Sequence, residues 1–146
     1  MQEMKGKKRT LIACVDDAMG MMFNRRRLSQ DKRVLEDIGQ MCDGAKLWTA
    51  PYSEKLFKEY KVHIQISEEF LNLCGESDFC FLEDRKIGVY EERMSKIILY
   101  CWNRKYPSDI QLNLDWDKWK LEGQTEFPGN SHEKITKQLY IRREDR

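Results

Sequence analysis

The segment Thr10-Leu11-Ile12-Ala13-Cys14-Val15-Asp16-Asp17 is an apolar run shut off by two acids, with Gly20 soon after. A short apolar run bounded by turn-forming residues reads as a buried strand that empties into a loop. The loop, residues 18–28, carries Met19, Met21, Met22 and Phe23, then Asn24 and the consecutive arginines Arg25, Arg26 and Arg27. Ser29 is placed to cap a helix, which puts Asp31 in the first turn, where a negative charge meets the positive end of the helix dipole. Val34, Leu35, Ile38, Met41 and Cys42 then share one face at helical spacing, and Gly44 stands just past the end.

The strand–helix rhythm continues. Residues 46–50 read as a short strand stopped by Pro51, and Ser53 as the cap of a second helix facing inward through Leu56, Phe57 and Tyr60. Val62, Ile64 and Ile66 alternate with His63 and Gln65, the pattern of a half-buried strand. Ser67 is positioned to cap a third helix containing Phe70, Leu71 and Cys74 and ended by Gly75. Residues 79–82 form an apolar strand, 88–94 a short helix and 96–102 a strong apolar strand.

Beyond residue 102 the rhythm breaks. Trp116, Trp119, Leu121 and Phe127 precede the turn Pro128-Gly129-Asn130, and Ile135, Leu139 and Ile141 fit either a strand or a helix. An alternation that closes in a hairpin implies an α/β fold with a mostly parallel central sheet, flanking helices and an antiparallel C-terminal hairpin. The expected organisation is a basic flexible tail over residues 1–9 and a single domain over residues 10–146.

At 146 residues the chain is long enough to bury a core without staples, and 40% hydrophobic with 35% charged residues is a globular composition. The net charge of +1 gives no global attraction to nucleic acid or membrane. The five cysteines, Cys14, Cys42, Cys74, Cys80 and Cys101, are odd in number and form no CxxC pair, and several sit in apolar runs. They read as reduced core thiols of a cytoplasmic protein. The apolar run at residues 11–15 is too short for a signal-peptide core or a membrane span.

The order of segments resembles dihydrofolate reductase. Leu11-Ile12-Ala13-Cys14-Val15-Asp16, with Met19-Gly20 following, is similar to that family's first strand and the start of its active-site loop. Ser29-Gln30-Asp31 stands where the family places its catalytic acid. Residues 46–50 followed by Ser53-Glu54 are similar to its second strand and next helix, and Gly88-Val89-Tyr90-Glu91 to its valine-tyrosine-glutamate helix. Trp119, Glu126-Phe127, Asn130-Ser131-His132 and a strand closing on Arg142-Arg143 follow the family's C-terminal order. The chain also resembles small bacterial proteins labelled ribonuclease Z, a label that calls for a histidine-rich zinc motif. The only histidines, His63 and His132, lie far apart in sequence, and no metal site is expected.

The family cradles a cofactor pyrophosphate with paired glycines after a central strand. Here that stretch is Phe81-Leu82-Glu83-Asp84-Arg85-Lys86-Ile87-Gly88, with acids where the glycines would stand. Glu83 and Asp84 would repel a phosphate at a cost of about 1 kcal/mol or more at short range. After residues 46–48, where the family uses glycine and arginine, the chain has Thr49, Ala50 and Pro51. Ordinary NADPH binding is therefore not expected, and the cofactor is left unknown.

Two groups of residues carry the functional expectations. By the resemblance, Asp31 is the catalytic candidate; the bland reading is a helix-terminal aspartate. Asn24, Arg25, Arg26 and Arg27 are the ligand-binding candidates, because arginine grips phosphate and carboxylate with two prongs; the bland reading is a solvated charge run. Arginines beside Asp31 would favour its charged form and weaken it as an acid. The expected function is a divergent dihydrofolate-reductase-like domain that binds a small anionic metabolite or nucleotide. One alternative is an NAD(P)H-dependent reductase with Asp31 as proton donor; the other is an RNA-binding or ribonuclease-type protein, which the balanced charge disfavours.

Overall fold

A computed structural model describes residues 9–143. The expected basic tail lies outside the described residues except for Arg9, which opens the first strand and donates from Nε to the Cys74 carbonyl at 2.9 Å. The strands are β1 (Arg9–Val15), β2 (Gly20–Phe23), β3 (Arg26–Arg27), β4 (Lys46–Thr49), β5 (His63–Ile66), β6 (Phe79–Phe81), β7 (Met94–Cys101), β8 (Ile110–Gln111), β9 (Trp119–Phe127) and β10 (Ile135–Arg142). The α-helices are α1 (Lys32–Met41) and α2 (Phe70–Leu73), and 3-10 turns lie at Pro51–Phe57, Gly88–Arg93 and Trp116–Lys118.

Seven strands form one sheet in the order β5-β4-β6-β1-β7-β10-β9. β1 pairs in parallel with β6 and β7, and β4 with β5 and β6; β10 runs antiparallel to both β7 and β9. This is the mostly parallel sheet with an antiparallel C-terminal pair that the sequence implies. It also resolves residues 135–141 as strand. β1 is continuous apolar because it lies inside a sheet covered on both faces. Leu11, Ala13 and Val15 point into one core and Ile12 into the other, as a period of two demands.

The second core is roofed by α1 through Val34, Leu35 and Ile38, with Cys42 at its C-cap. Burying each such aliphatic side chain contributes about 1.5–3 kcal/mol, so this face rather than intrinsic propensity holds the helix. Gly44, at φ +82°, turns the chain away beyond the end. The first core is closed by Phe70, Leu71 and Cys74 around α2, by Met21, and by Leu112, Leu114 and Trp119. Trp119 donates its indole N–H to Glu91 at 2.9 Å and carries the Arg142 guanidinium over its ring at 4.2 Å, which ties the Gly88–Arg93 turn to the last hairpin.

Three local expectations are corrected. Residues 18–28 are not a plain loop: β2 and β3 form a hairpin, and β2 also pairs with β8. Asn24 (φ 52°) and Arg25 (φ 65°) make its two-residue turn, both left-handed, as the twist of a tight hairpin requires. Met21 and Met22 on β2 are buried. The α1 cap is Asp31 and not Ser29, its carboxylate accepting from the Arg33 N–H at 2.9 Å. Ser53 caps nothing; it is buried within the Pro51–Phe57 turn, whose cap position is Ala50.

Candidate functional site

At the C-terminal end of the parallel strands the chain makes three departures: from β1 through the hairpin to α1, from β4 into the Pro51–Phe57 turn, and back into β10 through residues 128–134. Between them lies an open cavity of about 570 Å³, bordered by Arg27, Gln30, Lys32, Lys55, Glu59 and Ser131 among others. That volume suits a small-molecule ligand, and the ends of parallel strands are where such ligands bind in open α/β sheets.

Asp31 forms the cavity's floor and is buried. One carboxylate oxygen accepts from the backbone N–H groups of Arg33 and Asn130, each at 2.9 Å. The other accepts from the Ser131 N–H at 2.8 Å and lies 3.0 Å from His132 Nδ1, with the Ser131 hydroxyl at 3.2 Å. Burial alone would raise its pKa. The Asn130 N–H, the His132 ring and the Ser131 and Arg33 N–H groups outweigh that and hold it well below the ordinary carboxylate range. The charged form is favoured, as expected, but by amides and an imidazole rather than by arginines. The approach is close enough that a methyl at Gly129 would stand 2.6 Å from Asp31 Oδ2 and 2.9 Å from the His132 carbonyl.

His132 continues the array. Its ring stacks on Trp102 with centroids 4.6 Å apart and planes 22° from parallel, and its Nε2 lies 2.9 Å from the Ser29 hydroxyl. The side chains of Asp31 and His132 are 0% and 4% exposed. Ser29 itself is half-buried and borders a second, narrow chamber of about 10 Å³ beside the main cavity, lined by Cys14, Met21, Val34, Phe81 and Trp102.

The arginine run is divided by the hairpin. Arg25 and Arg26 are exposed at its tip with Asn24, whose N–H donates to Asp109 at 3.0 Å; these residues do not border the main cavity. Arg27 turns inward, borders both cavities, and donates from Nε and Nη2 to the two oxygens of Glu83 at 3.1 and 2.9 Å. Its ring partner is Tyr52, 4.9 Å away. Glu83 is buried and also accepts from the Ser53 hydroxyl at 2.6 Å. Asp84 is held by Arg85 at 2.9 and 3.0 Å, and Arg85 reaches Glu68 at 2.8 Å. The two acids that stand for glycines are therefore both ion-paired.

Ser29, Ser53, Trp102 and His132 were not singled out as site residues by the sequence. The pair Asp16-Asp17 resolves as a turn: Asp16 accepts from the N–H groups of Ala18, Gly20 and Tyr106 at 2.9, 2.7 and 2.9 Å. Among the described residues no group of three His, Cys, Asp or Glu side chains is arranged to hold a metal, and no helix is long and apolar enough to cross a membrane.

The chain matches no family model and no curated protein sequence. Among solved structures it is similar to dihydrofolate reductase from Enterococcus faecalis complexed with NADP(H) and RAB-propyl. The TM-score is 0.67 and the identity 11%, over 95% of this chain and 98% of that one. The fold is dihydrofolate-reductase-like across the whole domain. At 11% identity the likeness carries the fold and leaves the chemistry to this chain's own residues.

Proposed function

We propose that this domain binds a small anionic metabolite or nucleotide in the 570 Å³ cavity and lacks ordinary NADPH-dependent folate reduction. The observation that carries the reading is the cavity's charge arrangement. Lys32 on α1 and Lys55 on the Pro51–Phe57 turn both border it, and Lys32 opens the N-terminal, positive end of α1. Glu59 is the acid that opposes them; Asp31 is already saturated with donors, and Arg27 spends most of its fork on Glu83. Saturation of Asp31 supports binding over proton delivery, since a carboxylate held ionised makes a poor acid. The neighbour's complex with NADP(H) makes small-molecule binding here plausible on the fold alone. Glu83 and Asp84 are neutralised by their arginine partners, so what disfavours that particular cofactor is the lack of paired glycines in this stretch rather than charge repulsion.

A thermal-shift screen with NADPH, folates, nucleotides and phosphorylated metabolites tests the proposal. A ligand at 100 times its Kd stabilises by about 2.7 kcal/mol, which for a domain of this size raises Tm by roughly 5 °C or more. An anion should give that shift in the native protein and none in Lys32→Ala/Lys55→Ala, whose unliganded Tm should be unchanged. If NADPH shifts Tm and is oxidised while no anion does, the reductase alternative replaces this reading.

A further inference from the structure

We infer that Ser29, His132 and Asp31 form a nucleophilic triad, with Ser29 as the attacking residue for a carboxylic ester bearing a very small acyl group. The inference goes beyond ligand binding in the large cavity and does not depend on it. Its basis is an uninterrupted chain of contacts: Asp31 Oδ2 to His132 Nδ1 at 3.0 Å, then His132 Nε2 to Ser29 Oγ at 2.9 Å. The direction of the protons follows from the chemistry of the groups. An ionised carboxylate only accepts, so Nδ1 carries the ring hydrogen and donates to Asp31. In the neutral imidazole Nε2 is then the acceptor, and the Ser29 hydroxyl must donate to it. That is the tautomer in which an imidazole removes a serine proton.

The supports of the array match that role. Three backbone N–H groups, from Arg33, Asn130 and Ser131, fix the carboxylate, and the Trp102 face fixes the ring. Ser29 meets open space on the side of the 10 Å³ chamber, so its oxygen is not sealed in the core. Space on that scale holds about one water-sized group, which fits the methyl of an acetyl or the hydrogen of a formyl and excludes longer acyl chains. Arg27 borders the same chamber, and its Nη1 makes no hydrogen bond to the described residues, so a donor stands ready for the charge that develops on the carbonyl oxygen.

The steps balance without any further reagent than water. Ser29 Oγ bonds to the carbonyl carbon as its proton passes to His132 Nε2. The ester C–O bond breaks, and the leaving alkoxide takes that proton to depart as alcohol. Water then gives a proton to Nε2 as its oxygen attacks the acyl carbon, the bond between the acyl carbon and Ser29 Oγ breaks, and Oγ recovers the proton. The products are a carboxylic acid and an alcohol.

The test uses p-nitrophenyl acetate and p-nitrophenyl butyrate on the folded protein. Mass spectrometry of protein quenched during acetate-ester turnover should place the acetyl label on Ser29. Acetate ester should give a burst approaching one equivalent of p-nitrophenolate, with butyrate slower by at least tenfold. Ser29→Ala should abolish both labelling and burst, and its loss of one half-buried oxygen leaves the fold intact. His132→Gln should slow labelling by about 100-fold or more, the scale of a lost general base. A merely structural bridge predicts otherwise: native protein with Ser29 unmodified after prolonged exposure, or labelling equal in native and His132→Gln protein, overturns the inference. If His132→Gln does not fold, the native and Ser29→Ala results decide the matter alone.

Discussion

Replacing Asp31 by asparagine keeps the shape of the side chain and removes the charge on which several donors converge. With its amide oxygen toward the N–H groups of Arg33 and Asn130, asparagine preserves those two bonds. Its NH2 then faces the Ser131 N–H and the His132 ring, where the aspartate oxygen had accepted at 2.8 and 3.0 Å. His132 can answer by changing tautomer, but the backbone N–H of Ser131 cannot. One charge-assisted bond is lost outright and another weakened, at about 1.5–3 kcal/mol for the first. We expect Asp31→Asn to cost about 3 kcal/mol near neutral pH, a large share of the 5–15 kcal/mol typical of a domain. The pH dependence gives the expectation a signature. The folded-state pKa of Asp31 lies below its unfolded value of about 3.9, so its contribution is fully present above pH about 4 and fades as pH falls toward the folded value. Urea denaturation of both proteins at pH 7 and pH 3 should therefore show the difference shrinking at the lower pH. A difference under 1 kcal/mol at pH 7, or one unchanged at pH 3, would refute the view of Asp31 as a saturated anion.

Arg27→Ala strands the Glu83 carboxylate, which is 6% exposed, with only Ser53 as partner. Because Arg27 is itself partly solvated, the cost should be about 2–3 kcal/mol, below the full value for a buried pair, and chemical denaturation of Arg27→Ala against Arg27→Ala/Glu83→Gln should recover most of it. Gly129→Ala forces a methyl to 2.6 Å from Asp31 Oδ2 and should lower stability by about 1–3 kcal/mol, with a calorimetric Tm as the check. Burial pushes the Cys42 thiol up to about 12 and the Cys101 thiol to about 11, and raises Cys14 as well. Native protein should thus react slowly with a thiol-directed reagent at pH 7.5, and all five cysteines should become titratable in guanidinium.

The sheet was legible because its signals are local. Leu11 to Val15 and Ile97 to Trp102 are buried on both faces, and such runs read as interior strands whatever the rest of the chain does. The hairpin at residues 20–27 was not legible for the opposite reason. Its turn uses Asn24 and Arg25 at positive φ without a glycine, and arginine carries no signal for that conformation. The cap of α1 was displaced by two residues because Ser29 and Asp31 are both competent caps. The choice between them is made by the 128–134 segment, about a hundred residues away, whose donors claim the carboxylate. Arg27 and Glu83 were each readable as charges, one as a grip on a ligand and the other as a repulsion. Only the fold shows that they answer each other.

The same long-range closure determines what chemistry the site can support. A cleft aspartate acts as an acid only if its neutral form is affordable, which requires an apolar setting with few donors. The Asn130-Ser131-His132 segment supplies the reverse: a packed set of N–H groups that hold the carboxylate ionised. Such an anion can no longer give up a proton at neutral pH. It can hold an imidazole in one tautomer and orientation, and the imidazole's second nitrogen faces a hydroxyl. In the proposed triad the group that moves a proton is therefore His132, with Asp31 as its anchor.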